Sequence, residues 1–142
     1  MQNLHNSLFV AGQITEDLIP SLAESGIKTI INNRPDNEEP GQPNHEVIKK
    51  LASAHGIEYF YLPMINGQPM PETIVSDFKA ILDNNESPIL AHCRSGMRST
   101  FIWALGQVGD GSLSVDEVIQ AATQANIPLA NYRSVLESAV ST

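Results

Sequence analysis

The chain has 142 residues, 42% of them apolar, and carries 16 acidic against 8 basic side chains for a net charge of −8. That balance excludes a nucleic-acid binder or an anionic-membrane binder, because no basic stripe exists to release counterions or meet lipid headgroups. The length suits one domain, residues 1–142, with a substantial core. The single cysteine excludes an internal disulfide and fits a reduced, cytoplasmic setting. Residues 1–10 show neither a basic segment nor a long apolar run, so no signal peptide or transmembrane helix is expected there.

Residues 7–11 are a short apolar strand candidate. Thr15 can cap a helix over residues 16–25, with Leu18, Ile19, Leu22 and Ala23 on one face and Gly26 at its end. Residues 27–32, Ile-Lys-Thr-Ile-Ile-Asn, are mostly β-branched and predict a buried strand. Three prolines and a glycine make residues 33–44 a loop. Val47, Ile48, Leu51 and Ala54 give residues 45–55 a helical period that Gly56 ends, and residues 57–62 predict a third strand. A second long loop, residues 63–71, follows. Pro71 fits the first turn of a helix reaching residue 83, whose apolar face is Ile74, Phe78, Ile81 and Leu82. Residues 88–91 predict a buried strand that runs into Cys93. Helical spacing resumes over residues 99–108, and a Gly-Asp-Gly turn follows at 109–111. Ser114-Val115-Asp116-Glu117 spells a capping box for a helix to residue 125. Residues 128–140 predict one more helix.

Strands alternate with helices up to Cys93, and helices finish the chain. This order predicts an α/β fold: a three-layer sandwich around a mostly parallel central sheet of about four to five strands, closed by C-terminal helices. Sites in such folds gather beyond the carboxyl ends of the strands. Three loops leave those ends, residues 33–44, 63–71 and 93–98, and are expected to meet at one rim. No internal repeat or low-complexity tract is present.

The chemistry of that rim turns on Cys93. It lies in His92-Cys93-Arg94-Ser95-Gly96-Met97-Arg98-Ser99, between an apolar strand and a helix. A loop opening into a helix N-terminus gathers backbone N–H groups, and with the helix dipole these favour an anion. The same field stabilises a thiolate; cysteines so placed have pKa values of roughly 3.5–7.5, against about 8.5 when free. Two of the chain's four arginines, Arg94 and Arg98, flank the loop. Arginine is the donor suited to bidentate capture of phosphate. Arg34-Pro35-Asp36 and Gln13 are further rim candidates. His5, His45 and His55 are scattered without metal-ligand spacing, so no metal or cofactor is expected. Glu38 and Glu39 read as a solvated face and Trp103 as core. Met64, Ile65 and Met70 read as either a cleft lining or a dimer contact.

The loop resembles that of the cysteine-dependent phosphatases, which carry His-Cys, five loop residues, then Arg followed by Ser or Thr. Over residues 8–140 the chain is similar to the bacterial phosphatase-like family found alone or fused to β-lactamase-like hydrolases. The similarity rests on Ala11-Gly12-Gln13, Gly26-Ile27-Lys28-Thr29-Ile30-Ile31, Asn33-Arg34-Pro35-Asp36 and the Cys93 loop. It implies a cysteine-phosphatase-like fold, akin to the dual-specificity phosphatases, and hydrolysis of phosphoric esters through a phosphocysteine. It also implies Cys93 as nucleophile and Arg98 as the clamp on the phosphoryl oxygens. The backbone N–H groups of Arg94, Ser95, Gly96, Met97 and Arg98 would be the anion cradle. Ser99 would hydrogen-bond the sulfur, and His92 would orient the loop from behind.

Two features depart from the phosphatase pattern. Four residues, not five, separate Cys93 from Arg98, so the ring of N–H groups is smaller. The phosphatases also draw their acid from an aspartate on a neighbouring loop, whose proton on the leaving group contributes roughly 10²–10⁴-fold. The corresponding Pro63-Met64-Ile65-Asn66-Gly67-Gln68-Pro69-Met70 has no carboxylate. Asn66 stands there in a supporting place, unable to donate a proton usefully, and Asp36 is the nearest replacement. The short loop is also similar to the active loop of the rhodanese-type sulfurtransferases, where the cysteine carries a persulfide and no acid is needed. The partners implied are a phosphorylated substrate, or a sulfur donor and an acceptor thiol. A third reading keeps the cradle as an anion-binding module without the chemistry. Nothing in the residues sets the oligomeric state.

Overall fold

The computed structural model describes residues 1–140. Five strands form the central sheet: β1 (Gln2–His5), β2 (Leu8–Ala11), β3 (Thr29–Asn32), β4 (Glu58–Tyr61) and β5 (Ile89–His92). Across the sheet they run in the order β1-β2-β5-β3-β4. β2, β5, β3 and β4 are parallel to one another, and β1 pairs antiparallel on the edge. Ala11 and Asn32 both stand in register with His92, so three strands stop at one level. The loops carrying the candidate residues leave from that level, as parallel strands require.

Side chains alternate across the sheet, and the sequence supplies apolar residues for both faces. Ile30 and Leu90 point into one core, shared with Ile19 of α1 (Ile19–Glu24) and with Ile48 and Ala52 of α2 (His45–Ala54). Ile31, Ile89 and Ala91 point into the other. There they meet Phe78 of α3 (Ile74–Asn84), Trp103 of α4 (Met97–Gly109), Val118 of α5 (Val115–Gln124) and Leu136 of α6 (Arg133–Ala139). Helices on both faces of a mostly parallel sheet make the expected three-layer α/β sandwich. Among the described residues no helix is long and apolar enough to cross a membrane.

α4 follows Cys93 and is the most enclosed helix. Nine of its 13 residues are buried, including Arg98, Ser99 and Thr100 at its start. A helix apolar on all sides has no single hydrophobic face, which is how a central helix reads.

The structure departs from the sequence reading in four places, one being Pro71, expected in the first turn of α3 but lying three residues before its start. β1 is a strand where none was expected. Its only buried residue is Leu4, and one apolar side chain in four is too little alternation to signal a strand. The helix expected over residues 16–25 is a 3₁₀ turn, Glu16–Leu18, followed by α1. Pro20 is the cause: it lacks an N–H for a residue-16 carbonyl and so falls in the first turn of α1. The Thr15 hydroxyl donates to the Asp17 carboxylate and caps nothing. The C-terminal helix is likewise split into a 3₁₀ turn, Leu129–Tyr132, and α6.

The capping box of α5 is complete. Ser114 Oγ accepts from the Glu117 N–H at 3.1 Å, and Glu117 Oε1 accepts from the Ser114 N–H at 3.0 Å. A side-chain cap of this kind is worth ~1 kcal/mol. Ser114→Ala is therefore expected to lower stability by ~1 kcal/mol in urea unfolding, while Thr15→Ala moves the midpoint much less. Equal losses in the two variants would contradict this assignment of caps.

Candidate active site

Three backbone contacts hold the Cys93 loop against its neighbours. The Cys93 N–H donates to the Ala11 carbonyl at 3.3 Å, and the Gln13 N–H donates to the Arg94 carbonyl at 3.3 Å. The Asn33 N–H donates to the His92 carbonyl at 2.8 Å. The exit of β2 thus runs alongside the loop, and Gly12 makes this possible. A Cβ at Gly12 would lie 2.7 Å from the Arg94 carbonyl oxygen, closer than packing allows. Gly96 has φ +95°, a left-handed conformation that glycine adopts without strain. Its N–H points at Cys93 Sγ at 3.1 Å, and α4 begins immediately after it. Cys93, 1% exposed as a residue, therefore has its sulfur at the mouth of a 13-residue helix, where the dipole favours negative charge.

Arg98 extends from the first turn of α4 and is 6% exposed. Nη1 donates to Glu38 Oε2 at 2.7 Å and Nη2 donates to Glu38 Oε1 at 2.8 Å. Nη1 also donates to the Met64 carbonyl at 2.8 Å. Arg34, fully buried, donates from Nε to Glu38 Oε1 at 2.7 Å and from Nη1 to Gln13 Oε1 at 3.1 Å. Its Nη2 lies 3.1 Å from Glu39 Oε1 without the alignment of a hydrogen bond. The exposed Arg94 lies 3.8 Å from Glu39 Oε2. Three of the four arginines thus converge on two adjacent glutamates.

The hydrogen bonds from Arg98, aided by Arg34, hold the Glu38 carboxyl below its ordinary range despite burial that pushes it up. Burial pulls the Arg98 pKa down, but the hydrogen bonds and charge of Glu38, with the nearby Cys93, raise it overall. The pair is fully ionised at neutral pH. Reading Glu38 as a solvated face is therefore corrected: its side chain is only 19% exposed and carries both buried cations. Sequence spacing placed Glu38 four residues from Arg34 inside a proline-rich loop, but Arg98 is 60 positions away, and no periodicity reports such a contact.

Asp36 does not take the place of the missing acid. Its Oδ1 accepts from the His45 N–H at 2.9 Å; its Oδ2 meets His45 Nδ1 at 2.5 Å and accepts from Asn44 Nδ2 at 3.1 Å. Both oxygens are spent on starting α2, where a carboxylate meets unpaired N–H groups. His45 in turn stacks on Tyr61, with ring centroids 3.7 Å apart. Asn66 is exposed at the tip of its loop, and no side-chain hydrogen bond ties it to Cys93 among the described residues. The loop contributes its Met64 carbonyl instead.

The Ser99 hydroxyl donates to Asn33 Oδ1 at 2.7 Å, so its proton is not on the sulfur; the Gly96 N–H takes that place. Asn33 also donates from Nδ2 to the Leu62 carbonyl at 2.9 Å and so ties α4 to the loops after β3 and β4. Ser95 and Met97 supply backbone to the turn, and the exposed Ser95 accepts from the Met97 N–H on its Oγ at 3.5 Å. Among the described residues no three His, Cys, Asp or Glu side chains gather as metal ligands would.

His92 is fully buried behind the loop, with the Cys93 backbone as a polar neighbour, although neither ring nitrogen meets full hydrogen-bond geometry. Burial lowers its pKa to about 4 from 6.5, opposed by the Cys93 backbone and aided by the Arg34 charge. An unfolded chain takes up a proton here below pH 6.5, while the folded chain refuses it until pH 4. Stability from this group is intact above pH 6.5 and falls as pH drops to 4, by about 3 kcal/mol in all. His92→Gln is expected to flatten that part of the pH dependence in urea titrations at pH 7 and pH 4. An unchanged slope in the variant would show that His92 is not held neutral by the fold.

Comparison with known proteins gives a consistent picture. Residues 1–110 match the family model described as beta-lactamase hydrolase-like protein, phosphatase-like domain. Beta-lactamase hydrolase-like proteins from Agrobacterium fabrum and Xylella fastidiosa are 36% and 34% identical over 81% and 82% of this chain. The chain spans only 26–27% of their length. A candidate phosphatase structure from Neisseria meningitidis superposes with a TM-score of 0.86 at 34% identity, covering 97% of this chain and 96% of that one. The catalytic domain of a PP-IP phosphatase from S. cerevisiae, 18% identical over 95% of this chain and 82% of its own with a TM-score of 0.67, shares the fold alone. By sequence and by fold, the chain belongs to the phosphatase-like domain family of the beta-lactamase hydrolase-like proteins.

Proposed function

We propose that this chain hydrolyses phosphoric esters by phosphoryl transfer to Cys93. One observation carries the reading: the Cys93 sulfur faces the Gly96 N–H at a helix N-terminus, beside an arginine held fully charged. The Cys93 thiolate attacks phosphorus, forming a sulfur–phosphorus bond as the ester oxygen departs with its electron pair. Water then cleaves the sulfur–phosphorus bond and releases inorganic phosphate. The N–H cradle and Arg98 meet the negative charge of the phosphoryl oxygens. Membership in a phosphatase-like family, and the likeness to a candidate phosphatase, support the same reading.

No protonated carboxyl serves the leaving group in this scheme. Asp36 is engaged at α2, Glu38 is ionised, and residues 63–70 contain no carboxylate. Substrates whose leaving group departs as a stable anion are therefore favoured. An aryl phosphate such as p-nitrophenyl phosphate is expected to turn over at least 10²-fold faster than an alkyl phosphate, the scale of a missing acid. Cys93→Ser removes turnover of both, and acid-quenched protein shows a phosphoryl adduct on Cys93 in intact mass. Equal rates on aryl and alkyl esters would sink the acid-free scheme.

A second reading, which family membership does not favour, starts from the same lack of an acid and the four-residue loop: Cys93 accepting a sulfane sulfur and passing it to a thiol. A sulfur adduct on Cys93 after incubation with thiosulfate, without any phosphoryl adduct, would put this reading first. Anion binding with neither adduct would leave the non-catalytic module.

A further inference from the structure

Guanidinium carries five N–H donors in one plane. On Arg98 the end-on pair, one proton from each Nη, meets the two oxygens of Glu38. The remaining Nη1 proton goes to the Met64 carbonyl. The Nε–H and the second Nη2–H are left, and neither donates to a protein oxygen among the described residues. These two share one edge of the plane, the side-on fork that receives an oxyanion bidentately. Glu38 and Met64 thus hold the guanidinium by its far edge and leave a fork that meets no protein oxygen and has the Cys93 side chain beside it.

Glu38 is itself fixed. Its Oε1 also accepts from Arg34 Nε, and the fully buried Arg34 is anchored on Gln13. The line Gln13–Arg34–Glu38–Arg98 therefore joins the ends of β2 and β3 to the first turn of α4. We infer that Glu38 is a positioning residue, which sets the plane of Arg98 so that this fork, beside Cys93, meets the anion over the sulfur. It touches no reacting atom in this role. An occluding carboxylate would have to sit on the fork the substrate needs; Glu38 sits on the other edge, and one of its oxygens is shared with Arg34.

For turnover the inference rests on the phosphatase reading; for anion binding it does not. The test therefore reads both, on the full chain. Inorganic phosphate is titrated against alkylation of Cys93 by iodoacetamide, and kcat and KM are measured with p-nitrophenyl phosphate. Glu38→Gln is expected to raise the phosphate concentration for half-protection at least tenfold and to lower kcat/KM by a similar factor. Glu38→Asp, which keeps the charge but shortens the reach, falls between the two. It also stands in for the Gln variant if thermal unfolding shows that the latter does not fold. A purely structural Glu38 would lower the unfolding temperature and leave protection unchanged, which overturns the inference. Tighter protection in Glu38→Gln overturns it too, because the carboxylate would then be an occluder. Hydrolysis by both proteins with equal protection sinks the role of Glu38 and leaves the phosphatase reading standing. Protection that weakens in the variant, with no hydrolysis by either protein, does the reverse. If phosphate never protects wild-type Cys93, no anion engages the fork and the inference falls.

Discussion

A single carboxylate allows two arginines to be buried side by side. Arg34 and Arg98 are 0% and 6% exposed, and an unpaired charge at such depth costs several kcal/mol. Glu38 offers two oxygens to three guanidinium N–H groups and so compensates both cations at once. Losing Glu38 would strand Arg98 and leave Arg34 with only the more exposed Glu39 beside it. The chain is strongly acidic as a whole, yet its rim gathers three of its four arginines. Local pairing, rather than net charge, sets the field that an incoming anion meets.

Everything else at the rim converges because parallel strands stop together. β2, β5 and β3 end at one level, so their exits must turn in the same small volume. Gly12 lets the β2 exit pass against the Arg94 carbonyl, and Gly96 lets the chain reverse from strand into helix under the sulfur. Asn33 then bridges from the β3 exit to Ser99 on one side and to the Leu62 carbonyl on the other. Cys93 and Arg98 come from one stretch of sequence and Glu38 from another, and a framework of hydrogen bonds between the strand exits brings them together.

What could be read from the residues was what local chemistry governs. β-branched runs marked β3, the Ser-x-x-Glu box marked α5, and a cysteine between a strand and a helix marked the loop. Contacts between distant segments stayed hidden. Asp36 and Glu38 are both acidic residues in one proline-rich loop, and nothing in their spacing says which serves a helix start and which serves an arginine 60 residues on. Ser99 follows Arg98 wherever the loop points, but its proton goes to Asn33, a residue 66 positions away. β1 escaped because an edge strand needs only one buried side chain, Leu4, to hold its place.

The smaller loop and the missing acid act on different parts of a reaction. Loop size sets how many N–H groups surround the bound anion, and so affects capture. An acid affects only departure of the group that leaves. Phosphoryl transfer and sulfur transfer share the first requirement, a sulfur anion facing N–H groups and a charged guanidinium. They part only when a bond to the leaving atom breaks. Ionised Glu38 sharpens this division: having no proton to give, it can assist capture by orienting Arg98 but cannot assist departure. A site so built is strong where charge must be held and weak where a proton must be delivered.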